Sequence, residues 1–217
     1  MPRCLLLDLD GTLVDSAPDL AAALDRLMAA RGLPGFAPEA VIPMIGDGVQ
    51  ALVERALAAR RLPPDAAAVA EFAAHYRATC AVATRAYPGV LDGLTRLAGA
   101  GWRIGVCTNK PAALARAVLA ATGIAPFVAA LGGGDSFAVR KPDPGHVLAT
   151  LAEMGGVAGR AVMAGDHRND VRAAAGAGLP CIFAAWGYGT PDMAAGAAAV
   201  AASFTEMEPI AARLLPD

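Results

Sequence analysis

Lysine is nearly missing from this sequence: Lys110 and Lys141 are the only two among 217 residues. A strong excess of charge of either sign is missing as well. A formal net charge of −2 leaves no electrostatic case for nucleic acid or for an anionic membrane surface. Cysteine is sparse and unpaired in sequence. Cys4, Cys80, Cys107 and Cys181 are scattered with no C-x-x-C spacing, which excludes the usual zinc patterns. Three of them, Cys4, Cys107 and Cys181, fall in short apolar runs and are expected as buried thiols, which suits a reducing setting. No run of about 20 strongly apolar residues offers a membrane span. Residues 1–13 are apolar but carry Asp8 and Asp10, unlike a secretory leader. The expectation is a cytoplasmic protein with no nucleic-acid, membrane or protein partner implied.

What is abundant is apolar residues, 56% of the chain and much of that alanine. This is enough for one large domain or a domain with an insertion. Alanine fills helices without marking a deep stripe, so helix edges are blurred. Leu5 to Leu7 reads as a buried strand that ends in Asp8-Leu9-Asp10-Gly11-Thr12. From 16 to 84 only helices are expected. Ser16 is placed to cap the first of these, with Asp19 closing a capping box and Pro18 in the first turn. Leu20, Leu24, Leu27 and Met28 form its stripe. A shorter element follows from Pro38. Gly46-Asp47-Gly48 then leads a helix with Val49, Leu52, Val53, Ala56 and Leu57 on one face, and a third helix spans 64–82 with Phe72 and Tyr76 as anchors.

After Tyr87-Pro88-Gly89 strands and helices alternate. Helices are expected at 90–98, 111–122, 144–154 and 169–177, and strands at 102–107, 127–131, 161–164 and 180–184. A short strand at 197–201 and a helix to about Leu214 end the series. Alternation with short turns predicts an α/β fold, a Rossmann-like parallel sheet with helices on both faces, interrupted by an inserted all-helical block. The expected division is a core of 1–15 and 85–217 around a block of 16–84.

Ligands of such sheets sit outside the carboxyl ends of the strands. Four groups fall there: Asp8 and Asp10; Thr108-Asn109-Lys110; Arg140-Lys141-Pro142-Asp143-Pro144; and Gly165-Asp166-His167-Arg168-Asn169-Asp170. Each alone has an ordinary explanation, such as a helix cap or a solvated loop lysine. Together at one sheet edge they make a coherent site. Asp8 and Asp166 can hold a hard divalent cation such as magnesium, which lifts the repulsion between a carboxylate nucleophile and a phosphate dianion. Lys141 adds a fixed positive charge, and the Thr108 hydroxyl with backbone N–H groups can bind phosphoryl oxygens.

Asp8-Leu9-Asp10-Gly11-Thr12, Thr108, Lys141 and Gly165-Asp166 with Asp170, in this order, resemble the four motifs of the haloacid dehalogenase superfamily. The strings from Asp8 to Ser16, from Arg140 to Pro144 and Trp186-Gly187-Tyr188 resemble its phosphoglycolate phosphatase branch. The resemblance implies that the block at 16–84 is a cap. It implies that Asp8 is a nucleophile forming an aspartyl phosphate, and that Asp10 protonates the leaving alkoxide and then deprotonates water. Thr108 and Lys141 would hold the phosphoryl group, with Asn109 among the substrate-binding residues. Magnesium would be bound by the Asp8 carboxylate, the Asp10 carbonyl and Asp166, with Asp170 supporting the metal or Lys141. The partner would be a small phosphorylated metabolite, foremost 2-phosphoglycolate, whose carboxylate would meet backbone donors at Gly46 and Gly48. The other reading of that stretch is that Asp47 caps the helix. His167 stands where this branch often has Ser, either as a surface imidazole beside the site or as a hydrogen-bonding group near the metal. His75 and His146 are expected to be structural.

Relatives with this core run several reactions. Dehalogenases of the family lack the second aspartate, and Asp10 is present. Phosphonate cleavage of the family type needs a cap lysine for a Schiff base, and 16–84 contains none. A sugar-phosphate mutase stays open, because the block carries Arg26, Arg31, Arg55, Arg60, Arg61, Arg77 and His75. Signalling receiver domains also place Asp, Thr and Lys at strand ends. The Asp10-Gly11-Thr12 turn, the helical block and the chain length oppose that reading.

Overall fold

A computed structural model describes residues 2–215. Its first half runs β1 (Arg3–Leu7), β2 (Val14–Asp15), α1 (Ala17–Ala29), α2 (Pro38–Val41), α3 (Val49–Ala59), α4 (Ala66–Thr79), β3 (Arg85–Ala86), α5 (Val90–Gly99) and β4 (Trp102–Cys107). The second half runs α6 (Ala112–Ala121), β5 (Val128–Gly132), α7 (Pro144–Glu153), β6 (Ala161–Gly165), α8 (Arg168–Gly176), β7 (Cys181–Ala184), β8 (Ala199–Ala201) and α9 (Met207–Leu214).

Six strands form one sheet in the order β5-β4-β1-β6-β7-β8, with every neighbour parallel. The chain builds outward from β1 to β4 and β5, then returns to β6 and continues the other way. The order therefore reverses at β1, which makes its carboxyl end the switch point where open α/β sheets bind ligands. Register levels the edges. Leu7 lies opposite both Val106 and Ala164, so the residues after β1, β4 and β6 emerge side by side.

Strand periodicity divides the core. Leu5 and Leu7 face one apolar layer with Ile104, Val106 and residues of α5, α6 and α9, while Cys4 and Leu6 face the other with Val147, Leu151 and α8. Leu20, Leu24, Leu52, Phe72 and Tyr76 of α1, α3 and α4 belong to the first of these clusters, so the helical segment and the sheet share apolar packing. The four cysteines are buried and free. No helix among the described residues is long and apolar enough to cross a membrane.

The passages into and out of the helices are tied together. Val14 and Asp15 pair antiparallel with Ala86 and Arg85, a ribbon too short to leave a pattern in the sequence. The expected capping box of α1 does not form. Asp19 instead reaches across to the other passage and accepts from Ala83 N, Thr84 N and Thr84 Oγ1, the last at 2.6 Å. Ser16 stands at the N-cap position without a side-chain cap, and its hydroxyl donates to Asp10 at 2.5 Å. The cap comes from far away: Tyr188 Oη accepts from Ser16 N at 2.7 Å and Ala17 N at 3.0 Å, and donates to Asp15 at 2.7 Å.

Candidate active site

Asp8 follows β1 directly and keeps its backbone in the ladder, donating to Ala164 O at 2.9 Å. The residue is 7% exposed, and its carboxylate stands 2.9 Å from Lys141 Nζ. Lys141 is held from two further sides. It donates to Asp170 Oδ1 and to Cys107 O, each at 2.6 Å. Burial alone would push its ammonium down, but Asp170 and Asp8 outweigh that and hold it above the usual lysine value.

Asp166, after β6, accepts from Thr12 Oγ1 at 2.8 Å and from Tyr188 N at 2.8 Å. The branch-like string Trp186-Gly187-Tyr188 thereby finds its physical reason. Trp186 Nε1 donates to Thr12 O at 3.1 Å. Gly187 lies so close that a Cβ there would meet Asp166 Cβ and Gly11 O at 2.3 Å. Only a residue without a side chain lets Tyr188 N reach the carboxylate.

Ligand oxygens of Asp8, Asp166 and Asp170 all lie within 4.8 Å of one another, and all three residues are buried. One lysine does not balance three buried carboxylates. Burial first, with Asp170 adding to it against the pull of Lys141, raises Asp8 to about 6. Burial, Asp8 and Asp170 raise Asp166 to about 8. An all-oxygen, over-negative cluster of this kind fits a hard divalent cation. Asp170 also accepts from His167 N at 3.0 Å, so it joins Lys141 to the start of α8.

His167 is half-buried beside the site. Its Nδ1 accepts from Asn169 N at 3.2 Å and it closes a capping box with Asp170 at the start of α8. Burial lowers its basicity, with Asp47 opposing. His146 is fully buried; it accepts from Lys141 N at 3.2 Å, and burial with Lys141 lowers it to about 4.

Thr108 and Asn109 follow β4. Thr108 Oγ1 accepts from Lys110 N at 3.2 Å, and Asn109 Nδ2 donates to Lys141 O at 2.9 Å and to Gly46 O at 3.0 Å. The reading of Asp47 as a helix cap is overturned. Gly48 is the N-cap of α3 and supplies no side-chain cap, while Asp47 turns to Arg55 and accepts from Asn169 Nδ2 at 2.7 Å. In the sequence Lys110 is marked only as a lysine at a strand end. In the structure its Nζ donates to both oxygens of Asp10, at 2.7 and 3.0 Å.

Two adjoining cavities open on Asp8 and Asp10, and Ile45 and Gly46 also line both of them. The larger, about 460 Å³, reaches Thr108, Asn109, Lys110, Tyr76, Gly48 and Val49. The smaller, about 340 Å³, reaches Asp166, His167 and Tyr188. The geometry thus separates a carboxylate cluster on one side of Asp8 from a chamber with hydroxyl, amide and ammonium groups on the other.

A carboxylate cluster at the switch point of a parallel sheet, with a buried lysine against the first carboxylate, is the arrangement of a hydrolase superfamily. The haloacid dehalogenase-like hydrolase family model matches residues 2–178, and the chain belongs to that family. It is 41% identical over 216 residues to the phosphoglycolate phosphatase of Rhodospirillum rubrum, covering 95% of this chain and 90% of that protein. The crystal structure of a predicted phosphoglycolate phosphatase from Haemophilus somnus 129pt superposes with a TM-score of 0.86 at 27% identity, covering 96% of this chain and 97% of that one. That of CbbY from Rhodobacter sphaeroides in complex with phosphate gives 0.81 at 26% identity, over 95% and 96% of the two chains.

Proposed function

We propose that this protein is a magnesium-dependent phosphatase that hydrolyses 2-phosphoglycolate to glycolate and phosphate. One observation carries the reading. Asp8, with Lys141 at 2.9 Å, stands where a cluster of buried carboxylates meets a cavity lined by Thr108, Asn109 and Lys110. The phosphoglycolate phosphatases among its relatives supply the substrate.

Asp8 attacks phosphorus as the bond to the glycolate oxygen breaks, and Asp10 gives that oxygen a proton. Asp10 then takes a proton from the water that splits the aspartyl phosphate. Lys141 and the Thr108 hydroxyl hold phosphoryl oxygens. Asp8, Asp166 and the Asp10 carbonyl would hold magnesium, whose charge offsets that of the phosphate, and Asp170 keeps Lys141 in place. Residues 16–84 act as a cap over the core of 1–15 and 85–217, closing the chamber against water. The buried thiols suit a cytoplasmic setting.

The mutase alternative finds no support in the chamber. None of Arg26, Arg31, Arg55, Arg60, Arg61, Arg77 and His75 is among the residues lining either cavity. The test is phosphate release from a panel of small phosphoesters with magnesium or EDTA. Phosphoglycolate is expected to lead, EDTA to stop turnover, and Asp8→Asn to abolish it in a folded protein. A hexose phosphate outrunning phosphoglycolate would overturn the substrate, and an active Asp8→Asn protein would overturn the covalent mechanism.

A further inference from the structure

Tyr76 of α4 stacks on Phe72 with 5.7 Å between ring centres, and both rings are fully buried in the apolar cluster that the helices share with the sheet. Packing explains the ring but not the hydroxyl, since a phenylalanine would fill the same place. Tyr76 Oη has no hydrogen-bond partner among the described residues. Lys110 Nζ lies 4.7 Å from the centre of the ring, yet an ammonium can only donate and cannot take the hydroxyl proton. Asp10 is held at both oxygens by Lys110, and Asp8 faces Lys141. A buried hydroxyl with no acceptor costs stability, and in a native protein it calls for an explanation.

Its place in the fold supplies one. Tyr76 lines the larger cavity, in a wall otherwise made by Leu20, Val49 and Leu52. Asp8 and Thr108 line the same cavity, so a substrate whose phosphoryl group meets them has the rest of its length to place there. Gly48 and Val49 bring the start of α3 to this space, and α3 has no side-chain cap to occupy its first N–H groups. A hydroxyl proton without an acceptor and an uncapped helix start, on one cavity, call for the same thing: an anionic acceptor.

We propose that Tyr76 is a specificity-determining residue whose hydroxyl donates to the carboxylate of the substrate, with the N–H groups at the start of α3 holding the same carboxylate. This rests on the phosphatase reading above and deepens it, by naming the side chain that recognises the end of the substrate away from phosphorus. The hydroxyl keeps its proton throughout. Its bond is made on binding and persists as the P–O bond breaks, so it lowers KM and leaves kcat nearly unchanged.

The experiment compares 2-phosphoglycolate with ethyl phosphate, which keeps the two-carbon alcohol but lacks the carboxylate, in wild type and Tyr76→Phe, and melts both proteins. The variant should melt no lower than wild type, because it loses a hydroxyl that nothing in the protein accepts. Its kcat/KM on phosphoglycolate should fall by about 10- to 100-fold, through KM, the scale of one hydrogen bond to a charged group. On ethyl phosphate it should match wild type. Equal losses on the two substrates, or none on either, would overturn the proposal. So would a marked drop in melting temperature, which would mean that the hydroxyl is already satisfied in the free protein. A wild type that prefers phosphoglycolate keeps the substrate reading intact through any of these results. A wild type with no preference overturns both.

Discussion

Asp8 and Asp166 are buried carboxylates in a cluster that a single lysine does not neutralise. Their folded-state values of about 6 and about 8 stand above the ordinary 3.8 because burial and neighbouring acids favour the neutral form. The folded chain therefore holds protons that the unfolded chain has lost. The stability this contributes is full below about pH 4 and disappears as pH rises through 6 and then 8. In EDTA the melting temperature should fall across that window. Added magnesium displaces the same protons, so the melting shift it produces should grow from about pH 5.5 to about pH 8.5. Asp166→Asn should flatten both trends. A magnesium shift of equal size at both pH values would count against a metal at this cluster. Asp8 and Asp166 are legible in the sequence because each follows a strand predicted from its apolar run. The Lys110–Asp10 pair is not, because nothing local distinguishes a lysine that points back to another strand from one that points to solvent.

At the scale of elements, strands are legible almost to the residue, since β4 is the predicted 102–107 and β6 overruns its prediction by one residue. Helix ends are blurred, as an alanine-rich chain leads one to expect: α4 spans Ala66–Thr79 where the sequence predicts 64–82. Caps fail for a different reason. Ser16 and Asp47 have the right chemistry at the right place, yet the Ser16 hydroxyl turns back to Asp10 and the Asp47 carboxylate is taken by Arg55 and by Asn169 far along the chain. The start of α1 depends on Tyr188 instead. Tyr188→Phe removes the acceptor for Ser16 N and the second acceptor for Ala17 N, both in buried residues. It should lower stability by about 1–3 kcal/mol, the cost of leaving buried donors unmet. Chemical denaturation checks this, and an unchanged midpoint would mean that water caps the helix as well. Because Tyr188 N also holds Asp166, this one residue joins the buried carboxylate cluster to the entrance of the helical segment.

Over the whole molecule, alternation of strands and helices announces the parallel sheet, and the run of helices announces the segment laid over its carboxyl edge. How that segment closes on the sheet has no sequence signal, because it depends on two asparagines reaching one loop. Asn109 and Asn169 both donate to Gly46 O, at 3.0 and 3.3 Å, and Asn169 also holds Asp47 at 2.7 Å. The contact is close. Gly46 has φ of +117°, and a Cβ there would meet the His167 ring at 2.9 Å. These bonds join the proposed cap to the core without touching the reacting atoms. If closure is what they serve, Asn169→Ala should raise KM more than it lowers kcat, by about 3- to 10-fold for one or two hydrogen bonds of ordinary strength. It should also speed amide exchange at residues 45–49, because local opening sets protection there. Gly46→Ala should act the same way and more strongly, since it strains the backbone and drives a methyl into His167. Unchanged exchange at 45–49 in both variants would show that the apolar packing shared by the helices and the sheet holds the segment shut by itself.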